Sequence, residues 1–171
     1  MIRWGITANS HDAALAVFDN NELKFAAHSE RSSGKKNDPW LNDKLIEQAR
    51  EFGMPEQVHW YETQWLKRIR QLYAGQYRTA FTKVSPYKTL ADYGLDVNYN
   101  PYNKFAGHPI DFFNHRHHRS HAAAGWYTAP FDTGAVLVID SIGEFETLTM
   151  WEGTGNKLQK RFSQNYPNSV G

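Results

Sequence analysis

The chain has no cysteine among its 171 residues. A disulfide framework, a thiolate zinc site and a cysteine nucleophile are therefore excluded, and any metal must be held by nitrogen and oxygen. An excess of one charge is lacking too, since 19 Lys and Arg face 18 Asp and Glu. A general attraction to nucleic acid or to an acidic membrane is not indicated, and local basic clusters have to be weighed singly. Long apolar runs are also missing; the longest fall far below the roughly 20 residues of a transmembrane helix. The opening MIRWGITANSHDAALAVF is broken by Arg3, Asn9, His11 and Asp12, which a secretory apolar segment does not tolerate, so a cytoplasmic protein is expected. The length suits one compact domain, or part of a larger one.

What is abundant is histidine in one place. Four of the eight histidines, His115, His117, His118 and His121, crowd the start of residues 114–140, NHRHHRSHAAAGWYTAPFDTGAVLVID. If this start is helical, His117 and His121 stand one turn apart on one face, the spacing two imidazoles need to share a metal. A strand over 135–139 then delivers Asp140 as a third, oxygen ligand near its C-terminal end. His118 would point about 100° away and make a structural contact. With Arg116 and Arg119 interleaved, a solvated helix face or a phosphate-contacting patch fits the same run.

The first strand, 2–7, leads through a polar loop, 8–12, to a strand over 13–18, a turn at Asp19-Asn20-Asn21 and a strand over 23–28. The same order recurs in 135–139, the loop 140–144, 145–151, the turn 153–156 and 157–162. Two such units facing each other resemble the nucleotide-binding fold of actin, hexokinase and the heat-shock chaperone ATPases; two ordinary hairpins of an α/β domain are the plainer reading. Between them, ERSSGKKN at 30–37 gathers Arg31, Lys35 and Lys36 around Gly34, suited to an anion or to solvent.

A packing helix is expected to open with Asp38 as N-cap and Pro39 at its first position, burying Leu41, Leu45, Ile46, Ala49 and Phe52 before Gly53. A short strand over 58–62 and a helix over 64–72 with Lys67, Arg68 and Arg70 exposed follow, without a catalytic role. Residues 73–110, with Tyr73, Tyr77, Tyr87, Tyr93, Tyr99 and Tyr102, read as a mostly irregular insertion. Lys83, Lys88 and Lys104 among those tyrosines offer a minor nucleic-acid-binding reading.

In order, SHDAALAVF, ERSSGKKND, HHRSHAAAGWY, PFDTGAVLVIDSIGEFET and YPNSVG resemble the N-terminal part of the O-carbamoyltransferases that modify nodulation factors, cephamycins and aminoglycosides such as tobramycin. The resemblance covers nearly the whole chain except 57–103. It implies an actin/hexokinase-like (ribonuclease H-like) α/β domain, with 1–130 as first lobe and 131–171 opening a second lobe that is cut short. It implies a metal- and ATP-dependent enzyme that converts carbamoyl phosphate to carbamoyl adenylate and carbamoylates an acceptor hydroxyl. By motif, His117, His121 and Asp140 correspond to metal ligands, for iron(II) first, with manganese or zinc suited to the same donors. His11, Arg31 and Lys36 correspond to contacts for carbamoyl phosphate, and His11, Asp12 and Lys36 to the catalytic set. The pattern departs at Ser141, where the family has glycine, at Ser32, where it has phenylalanine, and at Leu15, where its serine shifts against Ala14. The chain alone is expected to need a C-terminal half or complementing chain. A non-catalytic lobe that binds metal and carbamoyl phosphate, as a split-enzyme subunit or a regulatory module, is the competing expectation.

Overall fold

The computed structural model describes residues 1–10, 12–81, 85–98 and 110–170; His11, Lys83, Tyr99, Tyr102 and Lys104 lie outside the described residues. In chain order come β1 (Ile2–Thr7), β2 (Ala14–Asp19), β3 (Glu22–His28), α1 (Glu30–Ser33), α2 (Asp43–Arg50) and β4 (Gln57–Trp60). Then come α3 (Gln64–Tyr73), α4 (Tyr77–Ala80), α5 (Pro86–Asp92), β5 (Val97–Asn98) and β6 (Ile110–Asn114). The last are α6 (His117–Tyr127), β7 (Thr133–Gly143), β8 (Glu146–Thr154) and β9 (Lys157–Asn165). The protein is mixed α/β and divides into two compact units. Unit 1 is Met1–Tyr61 with Lys83–Asn114, and unit 2 is Glu62–Thr82 with His115–Gly171. Among the described residues no helix is long and apolar enough to cross a membrane.

Unit 1 is built on a six-stranded sheet in the order β3-β2-β1-β4-β6-β5. The meander β1-β2-β3 is antiparallel, whereas β4 pairs parallel with β1 and with β6, and β5 parallel with β6. Alternation puts Trp4 and Ile6 of β1, Leu15 and Val17 of β2, and Val58 and Trp60 of β4 on one buried face. Leu45, Ile46 and Ala49 of α2 and Leu90 of α5 join the same core.

Three expectations for unit 1 need correction. The α2 N-cap is Asn42, not Asp38: Asn42 is extended and its Oδ1 accepts from the Leu45 amide at 3.0 Å. Asp38 and Pro39 are used elsewhere, their carbonyls accepting from the amides of Ala13 (2.7 Å) and Asn9 (2.8 Å). Phe52 is not core; it is exposed and stacks on Phe25 with centroids 5.7 Å apart. The stretch expected to be irregular holds a helix, α5, over Pro86–Asp92 and a short strand, β5, at Val97–Asn98. Ser85 caps α5 by accepting from the Lys88 amide, Pro86 opens the helix, and Leu90 and Leu95 are wholly buried.

Unit 2 stacks α6 on the antiparallel meander β7-β8-β9, with Ala122 against Val138 and Trp151. Here too the structure corrects the sequence reading. The strand of Asp140 does not stop at residue 139. β7 continues to Gly143 through an irregularity, pairing Ile139 with Leu148 and then Gly143 with Glu146, so 140–142 bulge away from β8. Arg70 is buried rather than exposed, its Nη1 donating to Gln76 Oε1 at 2.9 Å. The strand before α3 ends at Trp60, which leaves Glu62 in a turn, buried.

Candidate functional site

His117 opens α6, and His121 follows one turn later. Their Nε2 atoms are 3.0 Å apart, and Asp140 Oδ2 lies 2.9 Å from His117 Nε2. The three groups each present one donor atom, all within 4.8 Å of one another. Ligands about 2.1 Å from one ion and at right angles stand about 3 Å apart, so the His117–His121 and His117–Asp140 spacings each fit a shared divalent cation. Two imidazoles and a carboxylate suit iron(II), manganese or zinc. His117 is mostly buried, Asp140 partly, and His121 exposed, which leaves one side open. Burial pushes the His117 imidazole below its ordinary pKa and His121 adds to this, against Asp140 and Glu62; a neutral ring keeps a lone pair for a metal.

The surroundings fix that ring closely. A Cβ added at Gly143 would stand 2.4 Å from His117 Cδ2 and 2.9 Å from His118 Cδ2, so glycine is required where β7 passes under α6. Next to it, Glu144 adopts a left-handed φ of 58°, uncommon for a long side chain. Its buried carboxylate accepts from the Thr63 amide at 2.5 Å and from the His117 amide at the start of α6, with Arg116 Nη1 at 3.6 Å. Burial pushes the Glu144 carboxyl above its usual range, and those donors pull it back only in part. Glu62, 2% exposed, places Oε2 3.9 Å from His117 Nδ1. Behind α6, wholly buried His118 shares a 3.0 Å hydrogen bond through Nδ1 with Thr149 Oγ1, which also accepts from Trp151 Nε1.

His115 is not in the cluster. It lines a separate cleft of about 490 Å³ with Arg119, Tyr127 and Lys157.

The residues matched to carbamoyl phosphate belong to unit 1. Asp12 has a left-handed φ of 55° and Asn9 one of 66° in the turn joining β1 to β2. That turn is pinned by the Asp38 and Pro39 carbonyls, by Ala13 accepting from the Ser29 amide at 2.7 Å, and by Asn9 bonding Thr89. The turn of Asp12 and the 30–37 segment, which carries Arg31 and Lys36, are thus tied at their ends. Arg31 is 80% exposed with Glu30 4.0 Å away, and Lys36 is exposed. His11 lies outside the described residues.

Sequence reading missed Glu62, Gly143, Glu144 and Thr149. Glu62 carries one local signal: it is the carboxylate that closes the strand expected over 58–62, as Asp140 follows the strand expected over 135–139. The others are set by contacts between distant segments.

Comparison with known proteins gives three findings. A family model described as the carbamoyltransferase N-terminus matches residues 2–171. The uncharacterized protein sll1178 of Synechocystis sp. (strain ATCC 27184 / PCC 6803 / Kazusa) is 29% identical over 190 residues, spanning 98% of this chain and 30% of that protein. The chain thus spans less than a third of the length of the curated relative it matches. Among solved structures, the PPX-GPPA enzyme of Aquifex aeolicus is similar at 14% identity with a TM-score of 0.30, over 99% of this chain and 53% of that one.

Proposed function

The chain belongs to the carbamoyltransferase N-terminus family, and on that premise we propose that it is the N-terminal portion of an ATP- and metal-dependent carbamoyltransferase. The reaction converts carbamoyl phosphate and ATP to carbamoyl adenylate, consuming one water and releasing phosphate and pyrophosphate; the acceptor hydroxyl oxygen then bonds to the carbamoyl carbon, losing its proton, as AMP leaves. The observation that carries this reading is the convergence of His117 Nε2, His121 Nε2 and Asp140 Oδ2.

A divalent cation held by these three atoms would neutralise phosphate charge and polarise oxygen, the demand that a dianionic substrate with a poor electrophile makes. His117 and His121 present Nε2 from a rigid helix face, and Asp140 reaches them from the bulge of β7. Arg31 and Lys36 donate charge-assisted hydrogen bonds to the substrate phosphate. His11 moves a proton during cleavage of carbamoyl phosphate, and Asp12 orients His11 from the same turn.

The fold we assign is actin/hexokinase-like, one antiparallel meander opening each lobe. In support, unit 1 continues its meander with parallel strands, and unit 2 carries a second antiparallel meander, β7-β8-β9. The remaining partner is a C-terminal half, in the same polypeptide or a complementing one. It seats on the open face of β7-β8-β9, where Leu137, Met150 and Phe162 lie side by side across three strands, all about half exposed. In support, the relative that this chain matches is much longer than it, the chain covering 30% of that protein.

A second reading is a non-catalytic metal-binding lobe, favoured by the three converging groups lying wholly within unit 2. Pyrophosphate release that depends on carbamoyl phosphate, assayed with a complementing C-terminal chain, separates the two; none would leave the binding lobe.

The first test is elemental analysis of the purified chain beside His117→Ala and Asp140→Ala. About one divalent metal per chain, lost from both variants, is expected. Metal retained in both, or absent from the folded wild type, would overturn the site.

A further inference from the structure

We infer that Glu62 is a positioning residue for His117, holding the imidazole so that Nδ1 carries the proton and Nε2 faces the metal. The inference rests on the metal reading of the His117, His121 and Asp140 cluster.

An imidazole ligates through one ring nitrogen only while the other holds the proton, and the group facing that other nitrogen sets the choice. Nε2 of His117 already points to His121 and Asp140. Among the described residues the Glu62 carboxylate lies on the Nδ1 side, with Oε2 3.9 Å away, close enough for charge attraction and about 1 Å beyond a hydrogen bond. A carboxylate buried to 2% exposure carries a large desolvation cost unless it is paired. Its other oxygen, Oε1, is the paired one, accepting from Lys67 Nζ at 2.9 Å and from Gln64 Nε2 at 2.8 Å. Lys67 and Gln64 both stand on the first turns of α3, which starts two residues after Glu62. The helix therefore holds Glu62 by one oxygen and leaves the second turned to His117. Gly143 closes the other side of the ring, where a single added carbon would not fit. The His117 ring thus lies between the Glu62 carboxylate on its Nδ1 side and the β7 backbone at Cδ2. That accounts for a buried Glu–Lys pair beside the cluster, where an apolar pair would avoid the desolvation cost.

The test is titration of the purified chain with Co(II), followed by visible absorption, for the wild type, Glu62→Gln and Glu62→Ala. Glu62→Gln keeps the size and one acceptor oxygen for Lys67 and Gln64, so it is the variant expected to fold, and it removes the charge. We expect affinity to fall about 10-fold in Glu62→Gln and towards 100-fold in Glu62→Ala. A second readout is the Nδ1 proton of His117 in the Zn(II)-loaded protein, seen by NMR as a protected downfield resonance in the wild type and lost in Glu62→Ala. Co(II) affinity equal to wild type in both folded variants, with the resonance unchanged, would overturn the inference and leave the metal reading intact. If Glu62→Ala does not fold, wild-type affinity in Glu62→Gln overturns it alone. A wild type that binds no Co(II) would instead overturn the metal reading, and the inference with it.

Discussion

In unit 1 the meander β1-β2-β3 gains parallel strands on the β1 side and buries Trp4, Ile6, Leu15, Val17, Val58 and Trp60 beneath α2 and α5. In unit 2 the meander β7-β8-β9 has no strand beyond β7 among the described residues, and its apolar cluster is Ala122, Val138 and Trp151, with Val136 and Leu158 at the margin. The space under α6 is taken up by polar groups and bare backbone: Thr147, Thr149 and His118 are wholly buried, and Gly143 and Gly153 lie against the rings of His117 and Trp126. The two sheets start alike and serve different ends. One spends its covered face on apolar packing; the other gives most of it to holding imidazoles in place. Unit 2 should therefore be the less robust of the two, and substitutions on its buried face under α6 should bear on the site and on stability together.

The largest effect is expected where unit 2 has least to spare. Trp126 is 4% exposed, its Nε1 donates to the Gly155 carbonyl at 3.0 Å, and it lies on Gly153, whose added Cβ would be 2.4 Å away. Trp126→Ala should cost about 3–5 kcal/mol. Native-state hydrogen exchange would show protection falling across β7, β8 and α6 while β1 and β2 keep theirs. Equal loss in both units would break the contrast, because it would mean that they unfold as one.

A smaller but more telling change is Gly143→Ala. The new methyl meets His117 and His118 ring carbons at 2.4 and 2.9 Å, so either β7 or the rings must move. Overpacking of this kind costs about 1–3 kcal/mol. Because the ring displaced is that of His117, bound divalent metal should fall at least tenfold, measured by elemental analysis after dialysis, while the far-ultraviolet circular dichroism stays native. Metal content equal to wild type would show that the site tolerates a shift of its first histidine, against the close fit described above.

Local pattern made much of this legible. The meander β1-β2-β3 follows from alternation and the Asp19-Asn20-Asn21 turn, and the shared helix face of His117 and His121 needs only the helical repeat. What was hidden depends on distant partners. Asp38 and Asn42 are both competent caps, and the choice fell to Asn42 because the Asp38 and Pro39 carbonyls are taken by the turn around Asn9 and Ala13. Ser85-Pro86 was a readable helix start, obscured by the tyrosines around it; that Leu90 and Leu95 reach the core is decided by the sheet they meet. The bulge after Ile139 is a matter of register with β8. The approach of Glu62 to His117 joins residues far apart in sequence, which no periodicity announces.

The smallest effect tests the unit 1 side of the contrast. Gly5 stands in the middle of β1, between buried Trp4 and Ile6, on the opposite face of the strand, and an added Cβ would meet nothing within 4 Å. Its backbone is outside the left-handed region, so alanine fits without strain, and the loss of unfolded-state freedom should stabilise the protein by about 0.4–1 kcal/mol. For a chain of this size that is a rise in Tm of about 1–4 °C. The same substitution is thus expected to help in β1 and to harm in β7. A fall in Tm for Gly5→Ala would mean that this face of the unit 1 sheet is tightly covered in solution, and that close packing onto glycine belongs to both units rather than to the one that holds the imidazoles.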